Sequence, residues 1–194
     1  MTAAKRRPAA GVPHSIHQLR VTLSHVSPPV WRTIQVPSST FLGDLHFILQ
    51  AAMGWSDTHL HLFSVGGVDY ADGRVRGPWG GPSPKNENRV RLGRVAPLGT
   101  RLRYEYDFGD GWVHEVVVEK VFSAEPGVTY PRCVAGQGAC PPEDCGGPPG
   151  YANLLETLND TTHADRAELV DWLGRKFDPE AFDPEPVNAW LAGG

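Results

Sequence analysis

Asp107, Asp110 and His114 lie close together in the stretch Tyr104-Glu105-Tyr106-Asp107-Phe108-Gly109-Asp110-Gly111-Trp112-Val113-His114. Tyr104, Tyr106 and Phe108 alternate with Glu105 and Asp107, which is strand periodicity. Asp110-Gly111 is a two-residue turn signal, because a type I′ turn needs φ > 0 at both positions. Counting outward from that turn pairs Asp107 with His114, placing carboxylate and imidazole on the non-core face about 5 Å apart. Such a pair can polarise an imidazole for acid–base work, or hold a metal with Asp110 nearby. The plain alternative is a structural cross-strand pair, with the aromatic residues packing the other face.

Two further groups carry chemistry. His59-Leu60-His61 places two imidazoles on one face if the segment is a strand. They would then be candidate metal ligands, completed from elsewhere by His114 or Cys133, or else ordinary hydrogen-bonded histidines. Cys140-Pro141-Pro142-Glu143-Asp144-Cys145-Gly146-Gly147 offers, with Cys133, three thiolates, but no second close pair of the kind a zinc knuckle uses. Its adjacent carboxylates Glu143 and Asp144 are of more interest. They either cap the helix that follows and complement its dipole, or fold back towards Asp107 and His114 to form one acidic pocket. In such a pocket, crowding raises at least one carboxyl pKa and a cation relieves the repulsion. Asp107-Phe108-Gly109 matches a kinase metal motif in letters only, since no His-Arg-Asp loop accompanies it. There is no nucleophile elbow, phosphate loop or dinucleotide fingerprint.

The elements that must position these groups follow from periodicity. Leu19, Val21 and Leu23 alternate with polar residues in a first strand; Ser27-Pro28-Pro29 turns the chain into a second, 31–36. A helix is expected over 41–53, with Phe41, Leu45, Ile48, Leu49 and Ala52 on its buried face, Thr40 as its cap and Gly54 as its stop. Strands are expected over 58–65, at Val90–Leu92, and at about 100–108 and 112–121. Long loops are expected at 71–88 and 123–148. A helix begins near Pro148-Pro149, where proline is tolerated. Another runs from about 163 to 173 with Thr162 as cap and Asp165 completing a capping box. Asp178-Pro179 and Asp183-Pro184 read as two short helix starts, and Val187, Trp190 and Leu191 as residues docking back on the body. Strands without crossover helices between them imply an α+β domain with a mixed or antiparallel sheet, β-grasp-like, with C-terminal helices.

The chain has 194 residues and a net charge of −4, which is not the basic footprint of an autonomous nucleic-acid binder. Residues 1–14, with Lys5-Arg6-Arg7, read as a disordered tail, and 15–194 as a single domain. No stretch reaches the roughly 20 apolar residues of a membrane span, and no apolar run follows the basic start as a secretory signal requires. Three cysteines, an odd number, speak against a secreted disulfide framework; a reducing cytoplasm is expected, with no membrane partner.

The hairpin pattern Tyr-x-Tyr-Asp-Phe-Gly-Asp-x-Trp-x-His, the later Cys-Pro-Pro-Glu-Asp-Cys-Gly-Gly-Pro-Pro-Gly-Tyr and the ending Phe-Asp-Pro-Glu-Ala-Phe-Asp resemble the plasmid pRiA4b ORF-3-like family. Pro29-Val30-Trp31-Arg32 and His59-Leu60-His61-Leu62-Phe63 also look like its motifs. The resemblance covers about 15–190. It implies an α+β domain of bacteria, archaea and plasmids, some members being labelled transposon passenger proteins of TnpR type. No serine-recombinase pattern accompanies that label, and no catalytic role is implied. The motif positions are Tyr106, Asp107, Phe108, Gly109, Asp110, Trp112, His114, Pro142, Glu143, Asp144, Gly146, Gly147, Gly150 and Tyr151.

Two functions stay open at this point. One is a binding or accessory domain of a plasmid or mobile element, contacting a protein or nucleic-acid partner; Arg74, Arg76, Lys85, Arg89, Arg91 and Arg94 gather positive charge for the latter. The other is a metal-assisted, hydrolase-like enzyme. Its candidate pocket joins Asp107, Asp110, His114, Glu143 and Asp144, with a divalent metal as candidate cofactor and His59 and His61 as speculative ligands.

Overall fold

The computed structural model describes residues 14–76, 82–174 and 176–193. All of the expected tail except His14, and residues 77–81 of the first long loop, lie outside them. In chain order the elements are β1 (Ile16–Leu23), β2 (Trp31–Pro37), α1 (Leu42–Met53), β3 (His61–Val65), β4 (Val68–Ala71) and β5 (Lys85–Asn86). A 3-10 turn (Glu87–Arg89) and α2 (Leu92–Val95) follow. Then come β6 (Arg101–Tyr106), β7 (Trp112–Phe122), β8 (Arg132–Gln137), α3 (Gly147–Asn159), α4 (Arg166–Leu173) and α5 (Pro184–Gly193). The strands form one sheet in the order β5-β4-β3-β6-β7-β1-β2-β8. Every pairing is antiparallel except β4 with β5, so the sheet is mixed and the class is α+β.

One face of this sheet carries the core. Leu19, Val21 and Leu23 of β1, Ile34 and Val36 of β2, Phe63 and Val65 of β3, Leu102, Tyr104 and Tyr106 of β6, and Trp112, Val116 and Val118 of β7 are all buried. Alternation explains this: residues two apart on a strand share a face. Helix α1 lays Leu42, Leu45, Ile48, Leu49, Ala52 and Met53 against that face. The opposite face is polar, with Arg20 stacked on Trp31 at 3.2 Å and Gln35 donating to Gln18. Among the described residues no helix is long and apolar enough to cross a membrane.

Several elements depart from expectation. The residue before α1 is Phe41, which makes no side-chain cap bond, so Thr40 does not cap and Phe41 itself is only half-buried. Gly54 ends the helix in the left-handed conformation, φ 90°. The third strand begins at His61, not Thr58. The Gly66-Gly67 turn, with φ of 57° and 76°, returns the chain as β4. Instead of a strand at Val90–Leu92, Arg91 makes one bridge to Phe41 and α2 supplies a single helical turn. The second long loop contains β8, an edge strand pairing with β2. Thr162 bonds Asp160 and caps nothing; α4 starts later, after Asp165, which makes no cap bond either. Asp178-Pro179 makes a turn closed by Ala181 N–H donating to Asp178 O, whereas Asp183-Pro184 does open α5. Val187 and Leu191 pack on the core, while Trp190 remains 46% exposed.

Candidate functional site

The hairpin expected to present Asp107 beside His114 has a different register. Tyr106 pairs with Trp112, Glu105 with Val113 and Tyr104 with His114. Asp107 leaves the ladder instead of pairing. Its backbone is left-handed, φ 54°, its N–H donates to Leu60 O and its carbonyl accepts from Gly111 N–H at 2.6 Å. Its own Oδ1 accepts from Gly109 N–H. The connection therefore spans 107–111, and the altered count turns His114 to the core side, as any odd slip of register must. His114 is fully buried behind Tyr104, its Nδ1 against Tyr104 O, and burial pushes its pKa down to about 4. The Asp107–His114 pair does not exist, and His114 leaves the candidate pocket.

Three chain segments do converge at this end of β3 and β6: 55–60, the turn 107–111, and the loop 140–146. They are stitched by Trp55 Nε1–H donating to Pro141 O and Gly146 N–H donating to Asp110 Oδ2. The backbones of loop and turn then touch. A Cβ on Gly147 would lie 2.2 Å from Asp110 O, and φ there is +67°, so only glycine serves. Asp110 thus acts through backbone and loop contacts; its carboxylate faces Gly146.

Glu143 and Asp144 turn different ways. Glu143 does not cap α3, which begins after Gly146 with no side-chain cap. Its carboxylate accepts from Tyr106 Oη–H at 2.5 Å, from Thr58 Oγ1–H at 3.3 Å, and from the N–H and hydroxyl of Ser56. Burial by itself raises the Glu143 pKa, but these donated bonds from Ser56, Tyr106 and Thr58 outweigh it and hold the group below its ordinary value. The upward shift expected of crowded carboxylates is therefore absent at Glu143. Tyr106 is pushed up to about 12 by burial and by its bond to that anion.

Asp144 instead reaches His59, with its Oδ1 3.1 Å from Nε2, and Asp107 Oδ2 is 3.6 Å from the same nitrogen. That nitrogen is inaccessible to solvent yet lacks a partner in hydrogen-bonding geometry. His59, Asp107 and Asp144 each aim one donor atom at a common point. Two ligands about 2.1 Å from a shared ion lie roughly 3.0–3.4 Å apart in octahedral or tetrahedral geometry, which is close to the spacing observed here.

His61 does not share this point with His59. The strand starts only at His61, and the two imidazoles meet different neighbours. His59 contacts the Tyr106 ring at 5.8 Å, while His61 is buried and stacks on His46 at 3.5 Å with the planes 6° apart. A second trio, His46, Asp57 and His61, converges there. Neither His114 nor Cys133 completes either group; Cys133 Sγ–H points to Ala135 O. Burial raises the Cys140 and Cys145 thiols far above their ordinary range, with the Cys145 value about 12, and no group of thiolates converges among the described residues.

Sequence reasoning missed His46, Asp57 and Glu87. His46 is not among the residues that periodicity placed on the buried face of α1. Asp57, Asp107 and Asp144 share a signature that appears only in three dimensions. They are three of the four non-glycine residues with left-handed backbone among those described, the fourth being His25. Such strained conformations concentrate at functional sites.

Comparison with known proteins agrees with the fold. The family model described as plasmid pRiA4b ORF-3-like protein matches residues 15–186. The uncharacterised protein y4hQ of Sinorhizobium fredii is 42% identical over 177 residues, covering 90% of this chain and 89% of that protein. The crystal structure of MM3350, a protein of unknown function from Methanosarcina mazei Go1, superposes with a TM-score of 0.81 at 37% identity, covering 89% of this chain and 97% of that one.

Proposed function

The chain belongs to the plasmid pRiA4b ORF-3-like family, and on that premise we propose that it is a binding domain whose ligand is a divalent cation held by His59, Asp107 and Asp144. The observation that carries this reading is the His59 Nε2 atom, shielded from water, faced by two carboxylates, and without a hydrogen bond. An imidazole lone pair with two carboxylate oxygens is a mixed N/O donor set, suited to zinc or manganese rather than to a thiophilic ion. Asp144 is largely exposed, 72% for its side chain, so the ion keeps open positions towards solvent.

The cation's role in this reading is to lock loop 140–146 onto the turn 107–111 and to present those open positions to an acidic group of a partner. The domain then acts as a cytoplasmic accessory of a plasmid or other mobile element, its partner a protein or a nucleic acid. Binding is favoured over hydrolysis because burial of His114 removes the acid–base pair on which the hydrolase reading depended. Calorimetric titration with Mn(II) tests the site. Wild type is expected to take up an equivalent of cation that Asp144→Asn and His59→Ala each lose. Uptake unchanged in both variants would refute the reading.

A further inference from the structure

Two features lie outside the His59 trio. Inside the core, His46 and His61 stack in planes 6° apart, with Glu87 Oε2 2.9 Å from His61 Nε2. Nearly parallel rings aim their in-plane lone pairs past one another, so this group serves packing and not an ion. The other feature is the outer edge of the sheet, where β8 is the last strand. Its stretch 133–137, Cys-Val-Ala-Gly-Gln, carries no charge and no proline. An edge of that kind accepts another strand unless something covers it. The chain covers it with its own C-terminal segment, which begins within the ending Phe-Asp-Pro-Glu-Ala-Phe-Asp at 177–183.

Three contacts fasten residues 178–191 along β8. Ala139 N–H, just past the strand, donates to Pro179 O at 2.9 Å. The Phe182 ring lies directly on Gly136, where a Cβ would be 2.4–2.7 Å from three of its carbons; only a residue without a side chain leaves that room. Asn188 imitates a strand: its Oδ1 accepts from Cys133 N–H at 2.7 Å, and its Nδ2–H donates to Cys133 O at 2.9 Å. One side-chain amide thus takes both backbone groups that an added strand would take. Phe182 also covers Arg32, whose guanidinium carbon is 4.0 Å from the ring centroid. Arg32 is 2% exposed, and its bonds go to the carbonyl oxygens of Trp31, Ala52, Gln137 and Gly138. A buried cation answered only by carbonyl dipoles attracts nearby negative charge. The covering segment supplies it, with Asp178, Glu180, Asp183 and Glu185 and no lysine or arginine. Yet it is held lightly. None of the described residues from 176 to 193 is buried, and elements with few buried contacts open first.

We propose that the β8 edge and the place over Arg32 form a docking groove for a short acidic segment of a partner protein bearing an aromatic residue, and that residues 178–191 fill this groove as an intramolecular stand-in. The stand-in states the chemistry of the occupant. An aromatic ring rests on Gly136 and over Arg32, carboxylates flank it, and an amide bonds the backbone of Cys133. A partner segment in extended form meets Cys133 with its own backbone, as an added strand does, where the helical α5 has only the Asn188 side chain to offer. A tethered segment acts at an effective concentration on the order of millimolar, so it keeps weak ligands out and yields to a segment that binds more tightly. This groove does not rest on the reading of His59.

The probe is a fluorescently labelled synthetic peptide of residues 178–191, titrated into the full chain and followed by anisotropy. Phe182→Ala combined with Asn188→Ala detaches the tethered segment. This double variant is expected to bind the peptide about tenfold or more tightly than wild type, because in wild type the tethered copy competes at millimolar effective concentration. A peptide carrying Phe182→Ala should bind the double variant about tenfold or more weakly, and a peptide with Asn and Gln in place of its Asp and Glu should also bind more weakly. Adding Gly136→Ala to the double variant fills the place of the ring and should abolish binding. That substitution alters a strand, so the peptide variants, which leave the protein untouched, keep the test decisive, with circular dichroism confirming that the double variant is folded. No binding by the folded double variant, binding no tighter than that of wild type, or binding indifferent to the aromatic ring would overturn the proposal. A double variant that dimerises and ignores the peptide would overturn it too, since the bare edge then takes a second copy of the chain.

Discussion

Substituting Gly147 by alanine tests how the loop is fastened to the turn, provided the conformational penalty is separated from the clash. Gly147 has φ +67° and would bring its new Cβ to 2.2 Å from Asp110 O and 3.1 Å from Asp110 C. Gly66 supplies the control: its φ is +57°, but nothing lies within 4 Å of its hypothetical Cβ. Both substitutions force an L side chain into the left-handed region, at about 1–2 kcal/mol. That cost is partly offset by roughly 0.4–1 kcal/mol from the stiffer unfolded chain. Gly147→Ala alone adds overpacking against a backbone carbonyl that has no rotamer to escape into, about 1–3 kcal/mol. For a chain of this length each kcal/mol moves the thermal midpoint by roughly 2–4 °C. Gly147→Ala should therefore melt about 2–12 °C below Gly66→Ala by circular dichroism. Because the loop that moves carries Asp144, Gly147→Ala should also weaken Mn(II) uptake, while Gly66→Ala leaves it unchanged. Equal melting temperatures in the two variants would refute the argument that loop and turn meet backbone to backbone.

Further outcomes follow from burial and ionisation. Leu45, fully buried on α1, should cost about 2–5 kcal/mol when cut to alanine; an unchanged thermal midpoint would show that this face is not packed. The folded pKa of His114 is lowered to about 4 from 6.5, so the unfolded chain binds the proton first. The stability this neutral imidazole contributes is present above pH about 6.5 and is lost as pH falls towards about 4; a melting profile of His114→Gln as steep over that interval as wild type would contradict it. Glu143, held below its ordinary value, contributes stability above the carboxylate range that is lost as pH falls through it. Glu143→Gln should flatten that acid limb, and identical limbs in denaturant titrations from pH 6 to pH 3 would count against the bonds from Ser56, Tyr106 and Thr58.

The sequence alone determined the elements whose signals are local. Alternating apolar residues marked β1, β6 and β7, the 3.6-residue spacing of Leu45, Ile48, Leu49 and Ala52 marked α1, and Gly54 marked its end. From their order came the α+β class. It also marked Asp107 and Glu143-Asp144 as chemically capable groups, because carboxylates beside turn glycines are visible as letters. Tertiary structure alone decided which of these groups meet. Asp110-Gly111 suggested a two-residue turn, but bonding of Asp107 N–H to Leu60 O and of Gly111 N–H to Asp107 O lengthened it. Since strand faces alternate with a period of two, that change sent His114 into the core and gave its expected place beside Asp107 to His59. His59 and His61 looked like one pair because spacing reports a shared face only within a strand, and the strand begins between them. His46 and Glu87, distant in sequence, met His61 only because α1 and the 3-10 turn pack over β3. Long-range contacts of this kind leave no periodic trace; they are fixed by which surfaces can be buried together, and that is settled when the whole core closes.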